Sequence, residues 1–186
     1  YGGTFNPIHT GHLLTAQHIL DKLELDKILF IPNGLPPHRQ SPGISNEIRL
    51  AMVREACKLN PRFEVSTVEL DSDQTSYSFQ TVEKLKLQFL QDELFFIAGV
   101  DSILNYVWKN FDQLLSSLSG FAVASRPGYD RSALQQKLQQ EGLTNLHRIL
   151  HIETPLFEIS STEIRERCQS GASLQYFLPE GLVNMI

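Results

Sequence analysis

Apolar residues along this chain gather into short runs that alternate with longer stretches of helical spacing. Strand-like runs stand at 27–31 (KILFI), 63–70, 94–98 (LFFIA), 121–124 (FAVA) and 149–152. Helical spacing fills 13–25, 46–59, 79–90, 132–140, 161–169 and 181–186. In 46–59 the expected inward set is Ile48, Leu50, Ala51, Val53 and Ala56. In 79–90 it is Val82, Leu85, Phe89 and Leu90. Strands alternating with helices predict an α/β fold with a doubly wound, mostly parallel sheet covered by helices on both faces. No repeat interrupts the pattern, and 186 residues suit a single domain over 1–186.

In such sheets ligands bind outside the carboxyl ends of the strands. Candidate chemistry falls where that rule wants it. Gly2-Gly3-Thr4-Phe5 is expected to follow strand one, and Pro32 to Arg39 follows the 27–31 strand. Gly99-Val100-Asp101 follows LFFIA, and Ser125-Arg126-Pro127-Gly128-Tyr129 follows FAVA. Ile159-Ser160-Ser161-Thr162 follows the last strand and opens a helix. Residues 32–46, rich in Pro and Gly, are a candidate substrate flap. Only Tyr1 precedes the first glycines, while a typical strand needs about five or six residues. A short apolar extension ahead of Tyr1 is therefore expected, with the start of strand one missing from this sequence.

Composition narrows the class. At 41% apolar the chain can bury a real core, and a net charge of -5 argues against a dedicated nucleic-acid binder. Cys57 and Cys168 form no C-x-x-C pair, which suits a reduced, cytoplasmic protein. No apolar run approaches the roughly 18 residues of a membrane span, so no membrane partner is expected.

Two segments carry the chemistry. Residues 1–12 read Tyr-Gly-Gly-Thr-Phe-Asn-Pro-Ile-His-Thr-Gly-His and run straight into a helix. Glycines let backbone approach a ligand, and a helix start offers unpaired N–H groups to phosphate oxygens. His9 and His12 add donors or positive charge on the same side of that turn. No G-K-[ST] follows, so this is not a Walker loop, nor is it a G-x-G-x-x-G fingerprint. The second segment, Ser160-Ser161-Thr162-Glu163, fits a capping box, which alone would explain it. Three hydroxyls at a helix start with Arg165 one turn in also make a second anion site.

The assembled pattern G-G-T-F-N-P-I-H-x-G-H, with I-S-S-T-E-I-R at 159–165, resembles the signatures of the nucleotidyltransferase superfamily. Further matches are I-P-N-x-x-P-P-H-R (31–39), S-Y-S-F-Q-T (76–81), F-I-A-G-V-D-S (96–102), Trp108 and S-R-P-G-Y (125–129). With these, the chain from Gly2 to its tail resembles the bacterial nicotinate mononucleotide adenylyltransferases. The resemblance implies a Rossmann-like fold and adenylyl transfer from ATP to nicotinate mononucleotide, with Mg²⁺ arriving mainly on the ATP phosphates. It implies that His9, His12 and Arg165 serve catalysis. Gly2, Gly3, Thr4, Phe5, Gly99, Asp101, Ser160, Ser161 and Thr162 would bind ATP. His38, Arg39, Tyr77, Ser78, Trp108 and Arg126 would bind the acceptor and its phosphate. It implies no dedicated protein metal site, and it allows a homo-oligomer. Asp101 could instead merely cap its helix, and Trp108 could be a core residue. The alternatives are another nucleotidyltransferase, such as phosphopantetheine adenylyltransferase, and a nucleotide-sensing module that does not turn over. The first usually carries Thr where His9 stands; the second would be expected to lose one of the histidines.

Overall fold

The computed structural model describes residues 1–34, 43–70, 75–125, 131–155 and 157–186. In chain order its elements are β1 (Gly2–Gly3), α1 (Thr10–Lys22), β2 (Ile28–Pro32), α2 (Asn46–Cys57), β3 (Phe63–Val65), α3 (Ser78–Gln88) and β4 (Phe95–Gly99). These are followed by α4 (Val100–Asn105), α5 (Phe111–Ser116), β5 (Gly120–Ser125), α6 (Arg131–Gln140), a 3₁₀ turn (Leu146–Arg148), β6 (Ile149–Glu153), α7 (Ser161–Gln169) and α8 (Glu180–Val183). They form two compact units, Tyr1–Thr75 with Phe157–Ile186, and Ser76–Leu156.

The first unit holds a parallel sheet in the order β1-β2-β3, with α1 and α2 as the crossovers. The glycines expected after strand one are the strand itself: Gly2 pairs with Ile31 and Gly3 with Pro32. The pairing extends to Tyr1, whose backbone nitrogen donates to the Leu29 carbonyl at 2.8 Å and whose carbonyl accepts from Ile31 N–H at 3.0 Å. Gly3 is needed because the Phe5 ring folds back over it; a Cβ there would lie 2.8 Å from that ring. Phe5, Ile8, Ile19, Leu20, Phe30, Met52 and Val53 are buried core residues of this unit.

Helix α2 buries part of the expected set: Val53 and Ala56 are buried and Leu50 half-buried, but Ile48 and Ala51 are exposed, and Arg49, Met52 and Cys57 complete the inward face. The five buried positions stand at i, i+3, i+4, i+7 and i+8, the stripe of a helix that buries one side. The inward face therefore begins on a charged residue.

The second unit holds a parallel sheet in the order β4-β5-β6. All six residues of the central strand β5 are buried, as a strand with neighbours on both sides and cover on both faces requires. Ile103, Phe111, Leu114, Leu115, Phe121 and Leu134 are part of its core. Leu90, expected inward, is exposed because α3 has already ended at Gln88. Gly120 lies between neighbouring strands, where a Cβ would come within 2.8 Å of both Phe95 and Leu150 side chains. Gly120→Ala is expected to destabilise by about 1–3 kcal/mol through overpacking, read as a lower urea midpoint; an unchanged midpoint would refute the tight fit.

Candidate active site

Helix α1 starts at the first motif, three residues earlier than its apolar spacing alone suggests. His9 is the N-cap in extended backbone (φ -143°, ψ 169°), and His12 stands at the third helical position. The two have the arrangement of a capping box. Its short member is the His9 N–H donating to His12 Nδ1 at 3.2 Å. A ring nitrogen that accepts carries no proton, so neutral His12 holds its proton on Nε2 and offers Nε2–H as a donor. The rings lie nearly face to face, with centroids 3.7 Å apart at 31°. Phe5 meets His12 edge-on at 5.2 Å. Buried His9 Nδ1 has no close partner among the described residues. Thr10, the first helical residue, is pinned by the C-terminal segment: its N–H donates to Phe177 O at 2.9 Å and its Oγ1 to Tyr176 O at 3.1 Å.

Burial pushes the His9 imidazole down to about 4. Burial, and then the neighbouring His9, hold His12 well below the ordinary histidine range. Both rings are thus neutral near pH 7 and act as hydrogen-bonding groups rather than cations. A histidine kept neutral in the fold but protonated when unfolded near its usual 6.5 makes stability fall as pH falls. For His9 the loss accumulates from about pH 6.5 to about 4 and reaches on the order of 3 kcal/mol. Above 6.5 it vanishes. Urea unfolding of wild type and His9→Gln across that window should show the shallower pH slope in the variant; equal slopes would refute a buried neutral His9.

The loop from Thr4 to Pro7 has its carbonyls held from outside. Arg49 Nη1 donates to Thr4 O at 2.8 Å, Arg165 Nη1 to Asn6 O at 2.7 Å and Ser161 Oγ to Pro7 O at 2.9 Å. A trans peptide points its N–H opposite its carbonyl. The Phe5 and Ile8 N–H groups are therefore turned away from those clamps, and neither has an acceptor among the described residues. Phe5 itself sits at φ 47°, its ring buried against Tyr1 and Phe30. Only its backbone is available to a ligand.

The second motif builds the start of α7. Ser160 Oγ accepts from Glu163 N–H at 3.1 Å, as the capping pattern predicts. Thr162 Oγ1 accepts from Arg165 Nη2 at 3.0 Å. The hydroxyls and guanidinium expected to meet phosphates thus organise the first loop and their own helix. The first N–H groups of α7 add the orphan donors of any helix start. Arg49 was hidden from sequence reasoning, although extending the 52/53/56/57 stripe back by one turn lands on it.

In the second unit Gly99 ends β4 and caps α4, with Asp101 exposed in that helix's first turn. Tyr77 is the N-cap of α3, Ser78 its first residue, and Lys109 Nζ lies 4.3 Å from the Tyr77 ring centroid. Trp108 is partly buried; its indole N–H donates to Ser102 O at 3.1 Å, and its ring packs on Phe96, Phe111 and Phe121. His38, Arg39 and Arg126 lie outside the described residues. The structure thus gathers His9, His12, Thr4, Phe5, Ser161 and Arg165 in the first unit. Tyr77, Ser78, Gly99, Asp101 and Trp108 belong to the second.

Parallel strands, a histidine-bearing helix start and a second capped helix define a nucleotidyltransferase: residues 1–167 match the cytidylyltransferase-like family model. The relatives take the assignment further. Proteins from Rubrobacter xylanophilus, Clostridium tetani and Moorella thermoacetica are 37%, 38% and 39% identical over all of this chain and 87%, 94% and 86% of their own lengths. Each carries the name "Probable nicotinate-nucleotide adenylyltransferase". The chain belongs to this adenylyltransferase family. Its fold matches that of the Plasmodium falciparum nicotinic acid mononucleotide adenylyltransferase complexed with NaAD. The TM-score is 0.66 at 18% identity, over 89% of this chain and 80% of that one. The Rossmann-like expectation holds.

Proposed function

We propose that this chain transfers the adenylyl group of ATP to nicotinate mononucleotide, giving deamido-NAD and pyrophosphate in NAD biosynthesis. A 5′-phosphate oxygen of the mononucleotide attacks the α-phosphorus of ATP. The bond from that phosphorus to the α–β bridging oxygen breaks, and pyrophosphate leaves with the electron pair. The nucleophile is already an anion, so no general base is needed. What remains is to align two anions and disperse charge in line.

The observation that carries the reading is the stacked, neutral His9–His12 pair at the start of α1, with His12 Nε2–H as a donor. Preorganised donors of this kind usually supply the largest part of such catalysis. The Phe5 and Ile8 N–H groups and the first turn of α7 supply more, with Gly2, Gly3 and Thr4 shaping the loop. Ser160, Ser161, Thr162 and Arg165 support the triphosphate, and Gly99 and Asp101 the ribose. Tyr77, Ser78 and Trp108 hold the nicotinate; of the residues outside those described, we assign His38 and Arg39 to phosphates and Arg126 to the rim of the site. ATP enters as its Mg²⁺ complex. Among the described residues the donors at the histidine loop are imidazoles and amides, and no three His, Cys, Asp or Glu cluster as a metal cage would require. No helix among the described residues is long and apolar enough to cross a membrane. We place the protein in the cytoplasm as one catalytic domain.

The test is pyrophosphate release from ATP with nicotinate mononucleotide, nicotinamide mononucleotide or phosphopantetheine as acceptor. Release is expected chiefly with the first. Release only with phosphopantetheine would sink the assignment, and ATP binding without release would favour a sensing module.

A further inference from the structure

Arg49 is fully buried, yet among the described residues no carboxylate pairs with it. Its Nη1 donates to Thr4 O at 2.8 Å, and its Nη2 to Asn33 O at 2.6 Å and to Asn46 Oδ1 at 2.5 Å. Burying a guanidinium is costly, and carbonyl dipoles compensate less than a carboxylate would. The place where this cost is met is informative. The β1–β2 ladder ends at Gly3 and Pro32, and the last backbone bond runs from Asn33 N–H to Gly3 O at 2.9 Å. Beyond it, Thr4 lies on one side and Asn33 on the other, and the planar Arg49 fork spans both. This is the carboxyl end of two parallel strands, where α/β folds open their ligand crevice.

We infer that Arg49 is a positioning residue for adenylyl transfer. It sets the split between β1 and β2, and by holding the Thr4 carbonyl it presents the Phe5 N–H to a phosphate oxygen. It also ties the nucleotide loop to Asn33, just past the end of β2. This rests on the adenylyl-transfer reading for its substrate. The chemistry of the fork supports it: a guanidinium offers five donors in a fixed plane, whereas an ammonium is a point donor that cannot hold both carbonyls in register.

The test uses the whole chain and two readouts, steady-state kinetics and calorimetric binding of inorganic pyrophosphate. For Arg49→Lys, the KM for ATP and the Kd for pyrophosphate are expected to rise about tenfold while the KM for the mononucleotide moves far less. A merely structural arginine would lower the folded fraction, cutting kcat in proportion while leaving both constants unchanged; that result overturns the inference. Should Arg49→Lys fail to fold, Asn46→Ala decides. It removes one anchor of the fork, and about a threefold rise in both constants is expected in protein that is still folded at the assay temperature, even with a lowered Tm. Constants within experimental error of wild type overturn it. If the wild type releases no pyrophosphate from ATP and nicotinate mononucleotide, the functional reading fails, and pyrophosphate binding still decides the role of Arg49.

Discussion

His12→Ala is expected to lower kcat by at least about a hundredfold, the loss of one transition-state donor worth roughly 3–4 kcal/mol. The ring is held for this task from three directions. Its Nδ1 takes the His9 N–H, His9 stacks on its face and Phe5 meets it edge-on. Truncation also opens half of the capping arrangement, at a cost of about 1 kcal/mol in stability. His12→Gln separates the two effects. A glutamine at the third helical position can accept from the N-cap N–H, as in an ordinary capping box. It should restore the Tm, and because its amide still offers an N–H donor its kcat should lie between those of His12→Ala and wild type. Near-normal turnover in His12→Ala would remove His12 from the catalytic machinery.

The protonation state gives a second reading of the same residue. A neutral donor keeps working at alkaline pH. With His12 held well below the usual histidine range, kcat/KM should be flat between about pH 7 and 9. An enzyme that needed the imidazolium would lose about tenfold per pH unit across that span. Bound phosphate raises a histidine, so kcat, which reports the ternary complex, can show a break that kcat/KM does not.

Local signals in the sequence located the elements that local chemistry decides. Helix α7 runs Ser161–Gln169 as expected because Ser160 and Glu163 write its start in four residues. Helix α2 begins at Asn46 as expected, behind Ser45, whose hydroxyl accepts from Ile48 N–H. Strand β2 shifts by one residue only. What stayed hidden depends on partners far along the chain. Arg49 reads as a surface charge until Thr4 and Asn33 are brought beside it. The early start of α1 rests on His9 at the N-cap, a position usually given to Ser, Thr, Asp or Asn, with His12 Nδ1 accepting its N–H. Gly2 and Gly3 read as a turn because glycine is a poor strand former, and only the pairing with Ile31 and Pro32 makes them a strand. The short helices α4 and α5, six residues each, are too brief for periodicity to reveal. At the site, the histidines and the second motif were legible by type. That Ser161 and Arg165 clasp the Pro7 and Asn6 carbonyls was not, since those contacts span about 150 residues of chain.

Acceptor choice is the second large effect. The expected result is a kcat/KM for nicotinate mononucleotide at least about a hundredfold above that for nicotinamide mononucleotide. The nicotinate carboxylate is an anion, and the residues assigned to it favour one. Tyr77 and Ser78 open helix α3, whose start carries unpaired N–H groups and partial positive charge, and the Lys109 ammonium lies over the Tyr77 ring. A carboxamide brings an NH₂ that such donors cannot accept from, leaving polar groups poorly paired. Trp108 offers a ring made rigid by Ser102, Phe96 and Phe121. That packing complicates its removal, because truncating even a partly buried tryptophan forfeits core contacts, at a cost approaching about 3 kcal/mol. Trp108→Phe keeps most of the packing and shrinks the stacking face. It should raise the KM for the mononucleotide several times more than the KM for ATP. Kinetics with both mononucleotides on one preparation checks the preference. Equal use of the two would remove Tyr77 and Ser78 from carboxylate recognition, and an unchanged mononucleotide KM in Trp108→Phe would return Trp108 to the core.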